Sequence, residues 1–377
     1  MMKIAVLGAG LVGSPMGIDL SNDGDMEVTM VDINQNALDK IVGKKNLKTV
    51  QADLSKTDNV CRVIEGMDLV INAVPGFMGF NTLKTIIEQG KNVVDIAFFP
   101  ENPFDLDELA KQKNITAIVD CGVAPGMSNV LTGHTVTLLD KVDTALTYVG
   151  GLPEVRHWPY EYKAVFSPID VIEEYTRPAR YIENGKMIIR PALSDVELIN
   201  FPEVGTLEVF NTDGLRTMAE TLDIPNMKEK TMRYPGHIEK MAVLRETGLF
   251  SKEEIEINGT KIRPIDFTSK LLFPMWEMKQ GEKDITVMRV IVEGEKDGEK
   301  KRYTYDLIDR YDDQTQTHSM AKSTGYTATV TARLIVEGRY TRKGISPPEY
   351  LGRYPKCVEF LLKGLAERNV VYKTTVS

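Results

Sequence analysis

The segment that most constrains this chain is residues 3 to 17. Ile4, Ala5, Val6 and Leu7 form a continuous apolar run that leads directly into Gly8-Ala9-Gly10-Leu11-Val12-Gly13 and then into a helical stretch from about Val12 to Asn22. A short all-apolar run is the pattern of a strand buried on both faces, as in a parallel sheet. The glycine spacing G-x-G-x-x-G is weak evidence alone. It gains meaning when it closes a strand, opens a helix, and an acid ends the next strand. All three conditions hold, because the run Glu27 to Asp32 reads as a second strand and Asp32 lies nineteen positions after Gly13.

Each glycine then has a separate expected duty. Gly8 permits the tight turn, Gly10 leaves room for a pyrophosphate, and Gly13 lets the helix sit close to the sheet. Amides around Leu11 and Val12 face the diphosphate at the positive end of the helix dipole. Asp32 is expected to accept hydrogen bonds from the adenosine ribose hydroxyls. No arginine follows it in Asp32-Ile33-Asn34 to receive a 2′-phosphate, so NAD is the expected cofactor.

Strand and helix signals keep alternating. Residues 48–54, 67–75, 92–97 and 115–122 read as four further strands, most of them separated by helical spacing. This predicts an α/β fold: a Rossmann doubly wound parallel sheet with right-handed crossovers. In such sheets the ligand crevice lies at the carboxyl ends of the strands. Asp53 and Leu54 are therefore candidates to flank the adenine, and Ala73, Val74 and Pro75 to border the ribose and nicotinamide. After about residue 122 the texture becomes strands and turns, with hairpin signals at Asn184-Gly185 and Asp297-Gly298. The expected division is residues 1–122 as the NAD-binding domain and 123–318 as an inserted α+β domain, mostly antiparallel sheet, for substrate and dimerisation. Residues 319–377 are expected as helices returning to the first domain: one long helix from Ser319 and a last one from near Pro348.

Composition narrows the function classes. The net charge of −8 argues against a general nucleic-acid surface. No apolar run reaches the roughly 18 residues that span a bilayer. The three cysteines are odd in number and far apart, and the start of the chain carries no signal-peptide pattern, so a cytoplasmic protein is expected. The four histidines and three cysteines show no zinc spacing, and no metal site is expected.

The stretch D-C-G-V-A-P-G-M-S-N, residues 120–129, follows the last parallel strand with glycines and a proline that allow close backbone approach. Together with G-A-G-L-V-G and the segments at 166–186, 207–215 and 230–241, it resembles the saccharopine dehydrogenase family, and most of all its lysine ε-amine-oxidising branch. The Rossmann part of the likeness is unspecific; the segments at 166–186 and 230–241 are the specific ones. The resemblance implies an NAD(P)-binding domain with an inserted α+β domain, a homodimer, and a small amino-acid substrate. One departure stands out: saccharopine-forming reductases carry an acid before the Pro-Gly pair, where this chain has Ala124.

Oxidative deamination needs a base, because an ammonium has no lone pair to push into the forming C=N bond. Hydride goes to the nicotinamide and water then releases ammonia. Asp95 and Asp120, at strand ends, are candidates to hold a cationic amine or take its proton, and His237 to shuttle protons. Arg233 is a candidate to grip an α-carboxylate through its fork, with Tyr234, Cys121 and Gly122 as further substrate contacts. Arg177 and Arg180 are weaker carboxylate candidates, and the bland alternatives remain open: capping carboxylates, a structural histidine, an intersubunit or surface ion pair. Two other readings remain. One is a saccharopine- or carboxyspermidine-type secondary-amine dehydrogenase, and the other an NAD(H) sensor that does no chemistry.

Overall fold

The computed structural model describes every residue except Gln280. In chain order the first part runs β1 (Met2–Leu7), α1 (Gly13–Ser21), β2 (Met26–Asp32), α2 (Gln35–Asp39), β3 (Leu47–Gln51), α3 (Thr57–Ile64), β4 (Leu69–Asn72), α4 (Gly76–Glu88), β5 (Asn92–Asp95), α5 (Asp107–Gln112), β6 (Thr116–Ile118) and α6 (Met127–Leu138). The middle holds β7 (Lys141–Pro153), α7 (Pro168–Thr176), β8 (Ala179–Glu183), β9 (Lys186–Arg190), β10 (Glu197–Phe201), β11 (Gly205–Asn211), α8 (Met218–Thr221), β12 (Met227–Arg233), α9 (His237–Glu246), β13 (Ile255–Ile257), β14 (Thr260–Ile262), α10 (Pro264–Trp276), β15 (Asp284–Lys296) and β16 (Glu299–Arg310). The end adds α11 (Ser319–Val336), β17 (Gly344–Ser346), α12 (Pro348–Gly352), α13 (Pro355–Ala366) and β18 (Tyr372–Val376). Two compact units result: Met1–Leu139 with Met320–Tyr372, and Asp140–Ser319 with Lys373–Ser377.

The first unit is built on a seven-stranded sheet in the order β17-β6-β5-β4-β1-β2-β3. Its pairings are all parallel. Ile4, Ala5, Val6 and Leu7 are fully buried, as a central strand requires. The seventh strand is an addition to the six expected. Gly344-Ile345-Ser346 pairs with Thr116-Ala117-Ile118, and a three-residue strand offers no alternation to read. Helix α6 belongs to this unit as well. A Cβ on Gly133 would lie 2.3 Å from the Glu349 carbonyl oxygen, and one on Gly352 2.3 Å from that of Val130, so α6 and α12 touch backbone to backbone.

The long helix α11 forms despite its threonines because their hydroxyls find partners. Thr327 donates to the Ser323 carbonyl and Thr329 to the Asp19 carboxylate at 2.5 Å. Asp19 on α1 also receives Arg333 of α11 and Arg368 after α13, both at 2.7 Å, so one carboxylate ties three elements together. The final segment is two helices, not one. Pro355 has no N–H to continue α12 and forces Tyr354 to an extended φ of −111°, which ends one helix and begins the next.

The second unit is a nine-stranded sheet in the order β10-β11-β12-β7-β15-β16-β18, with β8 paired to β12 and β9 to β8. Strand β12 runs parallel to β7, while β10–β11, β11–β12, β12–β8, β8–β9, β7–β15 and β15–β16 pair antiparallel. Both hairpin signals form as read. Asn184 and Gly185 have φ of 51° and 72°, and Asp297 and Gly298 of 54° and 81°, the positive pair that a tight two-residue turn needs.

Candidate active site

The glycine loop performs three separable tasks. Gly8 has φ +108°, and a Cβ there would lie 2.5 Å from the Ala73 carbonyl oxygen. Gly13 packs more tightly still, its added Cβ falling 2.0 Å from the Gly8 carbonyl oxygen. Gly10 is the opposite case: a Cβ there meets nothing within 4 Å, and the residue is exposed. Two glycines therefore serve the fold, and one keeps a space open above the loop. The first i→i−4 bond of α1 runs from the Ser14 N–H to the Gly10 carbonyl at 3.1 Å, so the amides of Leu11, Val12 and Gly13 precede the helical ladder. Leu11 is half exposed beside them.

Asp32 closes the arrangement. Its Oδ2 accepts the Ala9 N–H at 2.6 Å and its Oδ1 the Asn34 N–H at 2.8 Å. Each carboxylate oxygen keeps a second lone pair for a ribose hydroxyl. The set fits a dinucleotide: an open cradle over Gly10, helix-terminal amides, and a carboxylate held by the same loop.

The flanking candidates are placed less uniformly. The Asp53 side chain closes a turn, accepting from the Ser55 hydroxyl at 2.6 Å and its N–H at 3.1 Å, and these bonds hold its carboxyl below the usual range. Leu54 is buried. Ala73 extends the sheet, its N–H bonded to the Leu7 carbonyl at 2.9 Å. Val74 is buried, while Pro75 is exposed as the residue before α4.

Asp95 is fully buried at the end of β5. Its Oδ2 accepts from Asn72 Nδ2 at 2.6 Å and its Oδ1 from the Ala97 N–H at 2.7 Å. Asn72 is its register partner on β4 and leaves its own Oδ1 buried with no partner among the described residues. Asp120 is also buried, at φ +52°, and the Cys121 N–H bonds the Asp95 carbonyl at 2.9 Å. The two carboxylates therefore sit at adjacent strand ends. The loop after Asp120 folds on itself: a Cβ on Gly126 would lie 1.8 Å from the Gly122 carbonyl oxygen, so the close approach its glycines allow is to the chain's own backbone. Cys121 is buried and donates to Thr331 Oγ1 at 3.3 Å. Burial pushes its thiol up to about 12, so it offers neither a nucleophile nor an exposed substrate contact.

The remaining candidates lie in the second unit, and two of them, Arg233 and His237, share one buried network. Arg233 donates from Nη2 to Glu174 at 2.5 Å, from Nε to the Tyr175 hydroxyl at 3.2 Å, and from Nη1 to the Met232 carbonyl at 3.0 Å. Burial raises the Glu174 carboxyl against the pull of that arginine. His237 Nδ1 lies 2.9 Å from the Tyr160 carbonyl, which can only accept, so this nitrogen carries the proton. Its Nε2 then accepts from the Tyr175 hydroxyl at 3.0 Å. Burial, followed by the nearby Arg233 charge, pushes the imidazole down to about 3, so the ring is neutral. The expected proton shuttle is corrected accordingly: both nitrogens are bonded and the ring is buried. The expected carboxylate grip is also altered, because Nη2 of Arg233 already holds Glu174 while Nε and Nη1 hold Tyr175 and Met232. Tyr234 is buried with its hydroxyl on the Pro153 carbonyl at 3.0 Å, a packing role. Arg180 binds Asp213 through two nitrogens at 2.8 and 2.9 Å, and Arg177 lies 3.8 Å from Glu173.

The sequence reading passed over Glu174, Tyr175, Tyr160 and Tyr162. The one signal was the density of aromatic residues in H-W-P-Y-E-Y, residues 157–162. Among the described residues, no cluster of His, Cys, Asp or Glu is arranged to hold a metal, and no helix is long and apolar enough to cross a membrane.

Residues 4–118 match the family model described as the saccharopine dehydrogenase NADP binding domain, and residues 122–371 the one described as the saccharopine dehydrogenase C-terminal domain. The mitochondrial alpha-aminoadipic semialdehyde synthase of Mus musculus is 26% identical over 284 residues, covering 71% of this chain and 31% of its own length. The chain spans about a third of the length of the curated relatives it matches first. Carboxyaminopropylagmatine dehydrogenase of Synechocystis sp. is 23% identical over 401 residues, covering 98% of each chain. Among solved structures, the L-glutamate-forming saccharopine dehydrogenase of Saccharomyces cerevisiae shares the fold with a TM-score of 0.81, at 18% identity over the full length of both chains.

Proposed function

This chain belongs to the saccharopine dehydrogenase family, and we propose that it is an NAD-dependent dehydrogenase oxidising a C–N bond on the side chain of an amino acid. One observation carries the reading. Within one sheet, a glycine loop with open space above Gly10 stands beside strand ends that bear two buried carboxylates, Asp95 and Asp120. The first feature suits a dinucleotide and the second a cationic amine. Asp32 supports NAD over NADP, because a carboxylate bonded to the loop repels a 2′-phosphate.

The dinucleotide, when bound, supplies the ring that accepts hydride. The chain's residues have the other tasks. Gly10 and the amides after it seat the diphosphate, and Asp32 orients the adenosine ribose. Asp95 and Asp120 are the groups we assign to hold the amine and take its proton, since only the neutral amine can push its lone pair into C=N as hydride leaves. Asn72 keeps Asp95 oriented.

We place the reacting amine at the end of a lysine-like side chain, with ammonia as a product, because Ala124 stands where saccharopine-forming reductases carry an acid. The second reading, a secondary-amine dehydrogenase, draws support from the Synechocystis relative, a carboxyaminopropylagmatine dehydrogenase matched over 98% of its length. Formation of NADH with lysine, saccharopine and carboxyalkyl polyamines, measured with an ammonia assay, separates the two. Ammonia release with lysine alone supports the first reading, and NADH only with the secondary amines supports the second. NAD binding with no turnover across the panel overturns both in favour of a sensor.

A further inference from the structure

The second unit contains a cavity of about 270 Å³ that the assignments above leave unused. At roughly 30 Å³ per water this is room for about nine waters, the size of one amino acid. Its walls are aromatic, from Trp158, Tyr160 and Tyr162, with Met275 at the side. Trp158 is 85% exposed and Met275 46%. Large apolar groups kept open to solvent around a concave space mark a binding surface more often than chance exposure.

The buried network described above holds these walls in place. The Arg233 guanidinium lies 4.6 Å from the centroid of the Tyr162 ring, and the Trp276 ring packs edge-on at 5.5 Å. His237 fixes the backbone of Tyr160 through its carbonyl. The floor is thus set before any ligand arrives, which lowers the ordering cost of binding.

The rim carries both signs of charge. Glu282 accepts the Lys279 N–H at 2.7 Å and pairs with Lys163 Nζ at 3.1 Å. Lys163 is itself buried and also donates to the Glu277 carbonyl at 2.9 Å. The side chain of Lys279 is exposed at the mouth. A purely anionic ligand would meet Glu282, and a purely cationic one would meet two lysines. A zwitterion with an apolar tail satisfies every wall.

We infer that this cavity binds the α-amino carboxylate head group of an amino acid, with its ammonium toward Glu282, its carboxylate toward Lys279, and its alkyl chain against Trp158 and Met275. The inference goes beyond the function proposed above and concerns the second unit alone, whatever becomes of that reading.

The test is calorimetric titration of the intact protein, without dinucleotide, using lysine and saccharopine. Cadaverine, which lacks the carboxylate, and aminohexanoate, which lacks the α-amine, serve as controls. Saturable binding of the amino acids is expected, at least about tenfold tighter than either control. Lys279→Ala, Glu282→Gln and Trp158→Ala change rim groups and are each expected to weaken amino-acid binding by about tenfold or more, with NADH binding measured on the same samples unchanged. No saturable response to any amino acid overturns the inference, whether or not the enzyme forms NADH. Equal affinity for cadaverine overturns it too, as do three variants that bind like the parent. Amino-acid binding with no turnover leaves the cavity assignment standing and removes the dehydrogenase reading instead.

Discussion

Two alanine substitutions in one loop separate folding from cofactor binding. In Gly13→Ala the new Cβ falls 2.0 Å from the Gly8 carbonyl oxygen. Real Cβ atoms stay beyond about 3 Å, so the loop or α1 must move by about an ångström. Overpacking against backbone of this kind costs about 3 kcal/mol. Replacing glycine at the start of a helix returns up to about 1 kcal/mol, leaving a net loss of about 2 kcal/mol. For a unit of this size that is a fall of about 4–8 °C in melting temperature. In Gly10→Ala the Cβ meets nothing within 4 Å, so stability should stay within about 0.5 kcal/mol of the parent. The methyl group occupies the space left for the diphosphate, however, and NADH affinity should drop by tenfold or more, about 1.4 kcal/mol at least. The assays are thermal unfolding without ligand and NADH fluorescence titration. Undiminished NADH binding by Gly10→Ala would refute the cradle, and unchanged melting of Gly13→Ala would refute the close packing of helix on loop.

Three further outcomes are expected. Asp32→Ala removes a ribose acceptor and the partner of the Ala9 N–H together, so NAD affinity should fall about tenfold or more while NADP affinity changes less; an unchanged ratio of the two affinities in paired titrations would contradict the role given to Asp32. His237 is neutral in the fold with its pKa pushed down to about 3 from 6.5, so below 6.5 the unfolded chain binds the extra proton, and stability present above that pH drains away as pH falls toward 3. Urea midpoints should therefore decline over that window in the parent and less steeply in His237→Gln; parallel slopes would show that the ring does not resist protonation. Cys121, with its thiol pushed up to about 12 and on Thr331, should escape iodoacetamide at mildly alkaline pH in the native protein, with Cys61, only partly buried, alkylated first by mass spectrometry; early modification of Cys121 would show that its site opens.

What could be read from the chain alone follows a physical line. The strands of the parallel sheet, the glycine loop, Asp32 and both hairpins were legible because each carries a local signal: an apolar run, a positive φ at Gly8 and at Asn184-Gly185, a strand end at Asp32. Strand β17 was not, since Gly344-Ile345-Ser346 is a strand only because β6 offers it an edge more than two hundred residues earlier. Arg233 is the intermediate case. A guanidinium suited to a carboxylate is legible in its residue type, but the carboxylate that Nη2 meets is Glu174, and partner choice across 59 residues has no local signal.

The same reasoning separates two kinds of segment in this chain. The glycine loop is specific to a task that many folds perform. The segments 166–186 and 230–241 meet instead in a network where each polar atom depends on a particular neighbour. Tyr175 gives its proton to His237 and takes one from Arg233, so losing that one hydroxyl orphans a buried acceptor and a buried donor at once. An unpaired buried group costs about 1–3 kcal/mol, against roughly 1 kcal/mol for a bond merely exchanged with water. A cluster of this kind tolerates few residue types at any of its positions. These two segments therefore form the support beneath the aromatic cavity of the second unit, while Trp158 and Lys279 at its rim stand exposed and are held by far fewer constraints.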